Sequence, residues 1–134
     1  VEGTPLDFTA KKPIGRDIGA DFRQLALTGG FDHNFVIDGW KDDGVLRPAA
    51  EASDPASGRM MEVFTTLPGV QFYSGNFLKV EGGKGGRSYA PRAAFCLETQ
   101  YFPDSMNHEN FAHPVFGAGR AYDSVTEYRF SCRG

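Results

Sequence analysis

The chain has 134 residues, 40% hydrophobic, 13% aromatic and 23% charged, a composition able to bury a core and unlike that of a disordered chain. Fourteen basic against seventeen acidic residues leave a net charge of −3, which gives no general pull on nucleic acid or on an anionic membrane surface. Two cysteines permit one bridge at most, so a small disulfide-stapled scaffold is excluded.

From the N-terminus, Val1 stands without an initiator Met, and VEGTPLDFTAKK has neither the apolar core nor the cleavage pattern of a signal peptide. A fragment or processed chain, folding as one domain over residues 1–134, is the expectation. No apolar run approaches the roughly 18 residues that span a bilayer. Seventeen glycines and eight prolines cut the chain into short apolar stretches, none of which keeps a helical period long enough to predict a helix.

The predicted elements are therefore strands, at 22–28, 33–38, 45–52, 59–67, 70–77, 92–100 and 124–131, and the predicted class is all-β, an antiparallel sandwich or barrel. The last strand alternates most clearly, with Thr126, Tyr128, Phe130 and Cys132 on one face and Val125, Glu127, Arg129 and Ser131 on the other. It reads as half-buried. Asp-Asp-Gly at 42–44, Ser-Gly at 57–58, Leu-Pro-Gly at 67–69 and the glycine-rich run at 81–87 supply turns. Residues 102–121 hold too much Pro, Gly and Asn for a strand and read as a long surface loop. Cys96 and Cys132 lie in apolar segments and read as buried thiols.

Among residues that carry chemistry, Gly82, Gly83, Gly85 and Gly86 surround Lys84 without the Ser or Thr and the following helix that a phosphate cradle needs, so a flexible connection is expected. His33, His108 and His113 lack ligand spacing, and no metal site is expected. Glu98 falls by alternation on the face of Ala94 and Cys96, opposite Phe95, Leu97 and Thr99. Such a carboxylate either points to solvent or, in a cleft, suits general-base work. Asp32 and His33 follow Gly29-Gly30-Phe31 as a loop leading into a strand. Gln71 either binds a ligand hydroxyl or satisfies strand-end backbone. Phe72, Tyr73, Phe77, Phe95, Tyr101 and Phe102 offer rings for sugar stacking or for ordinary packing.

Four segments taken in order resemble the C-terminal half of the aldose 1-epimerase (galactose mutarotase) family: TPLDFTAKKPIG at 4–15, GGFDHNFVID at 29–38, SGRMMEVFTTLPGVQFYSGNFL at 57–78, and AFCLETQYFPDSMNHENF at 94–111. The resemblance implies a galactose mutarotase-like β-supersandwich, of which this chain is the C-terminal part, acting on free hexoses such as galactose or glucose without a cofactor. It implies that Glu98 is the general base at the anomeric hydroxyl and that Asp32 and Gln71 hydrogen-bond sugar hydroxyls. The family's active-site histidines and sugar-binding arginine belong to its N-terminal half, and none of the three histidines here matches them. The chain alone is then expected to be inactive and to need that half, or to self-associate. Alternatives are a non-catalytic carbohydrate-binding or assembly domain, and a hexose-6-phosphate epimerase relative using Arg87, Arg92 and Arg120. Free thiols and sugar metabolism point to the cytoplasm.

Overall fold

A computed structural model describes residues 1–133. Six strands make two three-stranded sheets with very little helix, which bears out the all-β class. β1 (Asp32–Val36), β4 (Gly69–Tyr73) and β5 (Cys96–Gln100) form one sheet in the order β1-β4-β5. β2 (Arg47–Ser53), β3 (Arg59–Thr65) and β6 (Thr126–Cys132) form the other in the order β2-β3-β6. Among the described residues no helix is long and apolar enough to cross a membrane.

Both ladders of the second sheet are antiparallel, with Val63 of β3 opposite Ala50 on one side and Tyr128 on the other. The hairpin between β2 and β3 turns on Asp54, whose carboxylate accepts bonds from the Ala56 N–H (3.1 Å) and the Ser57 hydroxyl (2.6 Å). Gly58 closes that turn at φ +70°, where any Cβ would sit 2.2 Å from the Arg133 carbonyl oxygen. The register slips between Pro48 and Ala50, the place where a proline without an N–H is tolerated in a ladder. In the first sheet, Ser74 N–H bonds the Phe31 carbonyl and Ile37 N–H bonds that of Pro68, both at 2.9 Å. The partner numbers run in opposite order, so β1 and β4 are antiparallel.

The chain forms two compact units, residues 1–33 with 72–96 and residues 34–71 with 97–134. The first is organised by rings. Phe31, fully buried, stacks on Phe72 at 5.2 Å, and Phe8 meets both edge-on at 5.1 and 5.4 Å. Phe95 joins Phe72 edge-on at 6.2 Å. Pairs of this geometry add about 0.5–1.5 kcal/mol to the area they bury. Lys12 lies over the Phe8 ring at 4.2 Å and donates to the Pro5 carbonyl and to Asp17, tying the N-terminal segment down.

One predicted strand is a helix. Residues Arg23–Thr28 form a single six-residue helix, α1, ended by Gly29 in the left-handed conformation. Arg, Gln, Leu and Ala favour helix, but six residues are too few for a 3.6-residue period to declare itself, and Phe22, Leu25 and Leu27 imitate other patterns.

In the second unit β5 meets β6 from the other sheet. Tyr128 donates its hydroxyl to the Leu97 carbonyl at 2.9 Å, and the hydroxyls of Thr99 and Thr126 bond each other. The Trp40 indole N–H bonds the Thr66 carbonyl at 2.8 Å. The loop after β5 carries only one short helical turn, Ser105–Asn107, as expected of a long loop. Arg120 gathers it: its guanidinium donates to the carbonyls of His113 (2.8 Å) and Val115 (3.4 Å), pairs with Asp42 at 3.3 Å, and lies over the Phe116 ring at 4.9 Å.

Two burial expectations are corrected. Six of the seven residues of β6 are exposed, including Tyr128 and Phe130, and Cys96 and Cys132 are exposed cysteines outside any disulfide. Alternation sorts side chains between two faces; it does not supply a layer to cover either one. β6 stands at the edge of its sheet and β5 at the edge of the other, each with one neighbouring strand instead of two.

Candidate functional site

Each of the three sequence-predicted site residues falls on a strand of the first sheet. Asp32 opens β1, Gln71 is the middle residue of β4, and Glu98 is the middle residue of β5. Gln71 and Glu98 lie in the second unit on hydrogen-bonded neighbouring strands, whereas Asp32 belongs to the first unit. Leu97 and Thr99 make the contacts with β6, through a backbone carbonyl and a hydroxyl respectively. Glu98 between them is exposed and forms no ion pair among the described residues. A carboxylate in that state keeps its lone pairs available to accept a proton or a hydroxyl hydrogen bond.

Asp32 is half-buried, and its backbone N–H donates to Nδ1 of His33 at 3.0 Å. That bond fixes the tautomer, because Nδ1 must be the acceptor. Desolvation pushes the His33 pKa below its ordinary value, against opposing pulls from the Asp32 carboxylate and the Gln24 backbone. The Gln24 approach falls short of a hydrogen bond, and Nε2 is buried with no hydrogen-bond partner among the described residues.

Sequence reasoning passed over Asn34. Its Nδ2 is buried with no hydrogen-bond partner among the described residues. The amide lies against Gly69, where an added Cβ would come within 2.6 Å of Asn34 Oδ1 and 3.0 Å of the Phe102 ring. The Leu-Pro-Gly turn therefore ends in glycine for space. An amide inside a strand, between His33 and Phe35, was the available signal.

The aromatic side chains divide in favour of packing. Phe72 and Phe95 belong to the ring cluster of the first unit, Tyr101 packs on Phe116 at 5.8 Å, and Phe102 on Phe111 at 5.0 Å. Phe77 is exposed, with its N–H held by the Tyr73 hydroxyl at 3.0 Å. Of the arginines a phosphate would need, Arg92 donates one bond to the Gly29 carbonyl at 2.7 Å, and Arg120 pairs with Asp42 at 3.3 Å. His108 pairs with Asp104 at 3.3 Å, and His113 Nε2 lies 3.1 Å from the His108 carbonyl oxygen. Neither makes a hydrogen bond or ion pair with Glu98. Among the described residues no group of three or more His, Cys, Asp or Glu is placed to hold a metal ion. The glycine run at 81–87 forms a short turn, Lys84–Gly86, with Gly85 at φ +67°. A shallow cavity of about 440 Å³ beside Asp7, Lys12, Arg16 and Asp17 contains none of the three candidates, and both Lys12 and Arg16 are paired with Asp17 at 2.8 Å.

The aldose 1-epimerase family profile matches residues 1–129. The chain belongs to the aldose 1-epimerase family. It is 41% identical over 132 residues to galactose mutarotase of Bos taurus, covering 98% of this chain and 36% of that protein. It is 42% identical over the same length to galactose mutarotase of Homo sapiens, again covering 98% and 36%. Aldose 1-epimerase of Escherichia coli (strain K12) is 37% identical over 132 residues, covering 97% of this chain and 37% of that protein. The chain thus spans little more than a third of the length of these relatives.

Proposed function

We propose that the protein containing this chain interconverts the α and β anomers of free hexoses, galactose or glucose, with Glu98 as general base and Asp32 and Gln71 as hydroxyl ligands. Family membership over residues 1–129 carries the reading, and the exposed, unpaired Glu98 carboxylate on β5 supports the base assignment.

Glu98 takes the proton of the C1 hydroxyl while an acid delivers one to the ring oxygen. The C1–ring-oxygen bond breaks, the C1–C2 bond rotates, and reclosure returns both protons and the other anomer. A carboxylic acid with an unperturbed pKa of about 4.3 is badly matched to a sugar hydroxyl, so donation at the ring oxygen must accompany removal at C1. That acid is a histidine in a part of the protein outside this chain. The exposed apolar side chains of β6 are covered there too, or by a second copy of the chain when it is tested alone.

Polarimetry on the longest protein that contains this chain tests the reading. Glu98→Gln lowers kcat by about 10²- to 10⁴-fold with little change in KM. Unchanged turnover removes Glu98 from the mechanism. The isolated chain shows little or no mutarotation, and rapid interconversion by it, abolished by Glu98→Gln, overturns the assignment of the acid to another segment.

A further inference from the structure

The four residues Thr28 to Phe31 are held from one side by a buried polar pair just beyond β4. Ser74 and Asn76 are 2% and 8% exposed. The Phe31 N–H donates to Ser74 Oγ at 3.0 Å. The Ser74 hydroxyl has one proton, and its shorter acceptor is Asn76 Oδ1 at 2.5 Å rather than the Phe31 carbonyl at 3.2 Å. Both protons of Asn76 Nδ2 are then used, on the carbonyls of Thr28 (2.9 Å) and Phe31 (3.0 Å). The Phe31 carbonyl also accepts the Ser74 N–H.

The peptide between Phe31 and Asp32 is therefore bound at both ends: its oxygen by Ser74 and Asn76, its N–H by Nδ1 of His33. Gly30 makes the close approach possible, since a Cβ there would lie 2.2 Å from Asn76 Oδ1, and its φ of +149° suits glycine. A satisfied buried network of this kind adds direction more than it adds stability. The direction it sets here is that of the main chain carrying Asp32.

We propose that Ser74 and Asn76, together with His33, are positioning residues that fix both ends of the peptide leading into Asp32 and so aim its carboxylate at a hexose hydroxyl. The inference rests on the reading of Asp32 given under the proposed function.

The test is a set of Michaelis constants for D-galactose and D-glucose, measured by polarimetry on the longest protein containing this chain. Asp32→Asn raises KM. Ser74→Ala and His33→Phe each raise KM about tenfold while kcat stays within about threefold, as a displaced binding group requires. In the Asp32→Asn background neither change adds further loss, because the group they aim is already gone. A merely structural role predicts less active protein at unchanged KM. Additive losses in the double variants, or unchanged KM in both single variants alongside a raised KM in Asp32→Asn, overturn the positioning role alone. An unchanged KM in Asp32→Asn overturns the reading of Asp32 and this inference with it. If Ser74→Ala fails to fold, His33→Phe, acting on the other end of the same peptide, decides.

Discussion

β4 and β6 have comparable sequences and opposite fates. In β4, GVQFY, every residue is buried or half-buried; in β6, TEYRFSC, only Glu127 is not exposed. β4 runs between two strands, while β6 has β3 on one side only. The aromatic content is similar, with Phe72 and Tyr73 in one and Tyr128 and Phe130 in the other. What separates them is coverage: Phe72 meets the rings of Phe8, Phe31 and Phe95, whereas Phe130 is 76% exposed. An apolar stripe is thus a demand for a neighbour, and the neighbour decides whether the stripe stabilises the fold.

The largest test of this contrast replaces one ring from each side. Phe31→Ala, which empties a fully buried position, costs about 3–5 kcal/mol in urea unfolding. Phe130→Ala stays within about 0.5 kcal/mol for a monomeric chain. Equal costs would break the comparison and show that β6 is covered in solution. A second pair of substitutions sharpens it at the level of backbone. Gly30→Ala meets both an unfavourable φ and the Asn76 amide, and costs about 3 kcal/mol by thermal melting. Gly44→Ala meets only the unfavourable φ of +67°, with no atom within 4 Å, and costs about 1 kcal/mol.

The smallest effect concerns charge in the N-terminal segment. Hydrogen bonds from Arg16 and Lys12 hold the Asp17 pKa down to about 2. An unfolded Asp titrates at about 3.9, so the unfolded chain binds the proton first as pH falls. The contribution of Asp17 is complete above that value and is lost as pH drops from about 4 towards about 2. NMR titration of the Asp17 carboxyl reads it, and Lys12→Ala moves the midpoint upward. An unmoved midpoint removes the lysine from the pairing.

Much of the sheet architecture was legible because strand alternation and turn residues are local signals. The Ser-Gly turn at 57–58, between the predicted strands at 45–52 and 59–67, needed only the signals of its own hairpin. α1 was not legible, since a helix of six residues with only Leu25 buried has no face long enough to show a period. The exposure of Cys96, Cys132 and Phe130 was not legible either, because it depends on which strand ends a sheet. Among site residues, Gln71 and Glu98 could be placed on strands by pattern, but their arrival on neighbouring strands is a matter of topology. Ser74 and Asn76 carried a readable sign, two short polar residues flanking a glycine after an apolar strand, of the type whose side chains seek nearby main chain.

The hold that Arg120 exerts on the segment after β5 has a practical outcome. One guanidinium joins two carbonyls, a carboxylate and a ring that the chain would otherwise leave separate. Residues 113–120 therefore lose several ties at once when that cation is lost, keeping the Phe116 ring contact with Tyr101 and the His113 bond to the His108 carbonyl, so cleavage sites along the stretch should open to protease together rather than one after another.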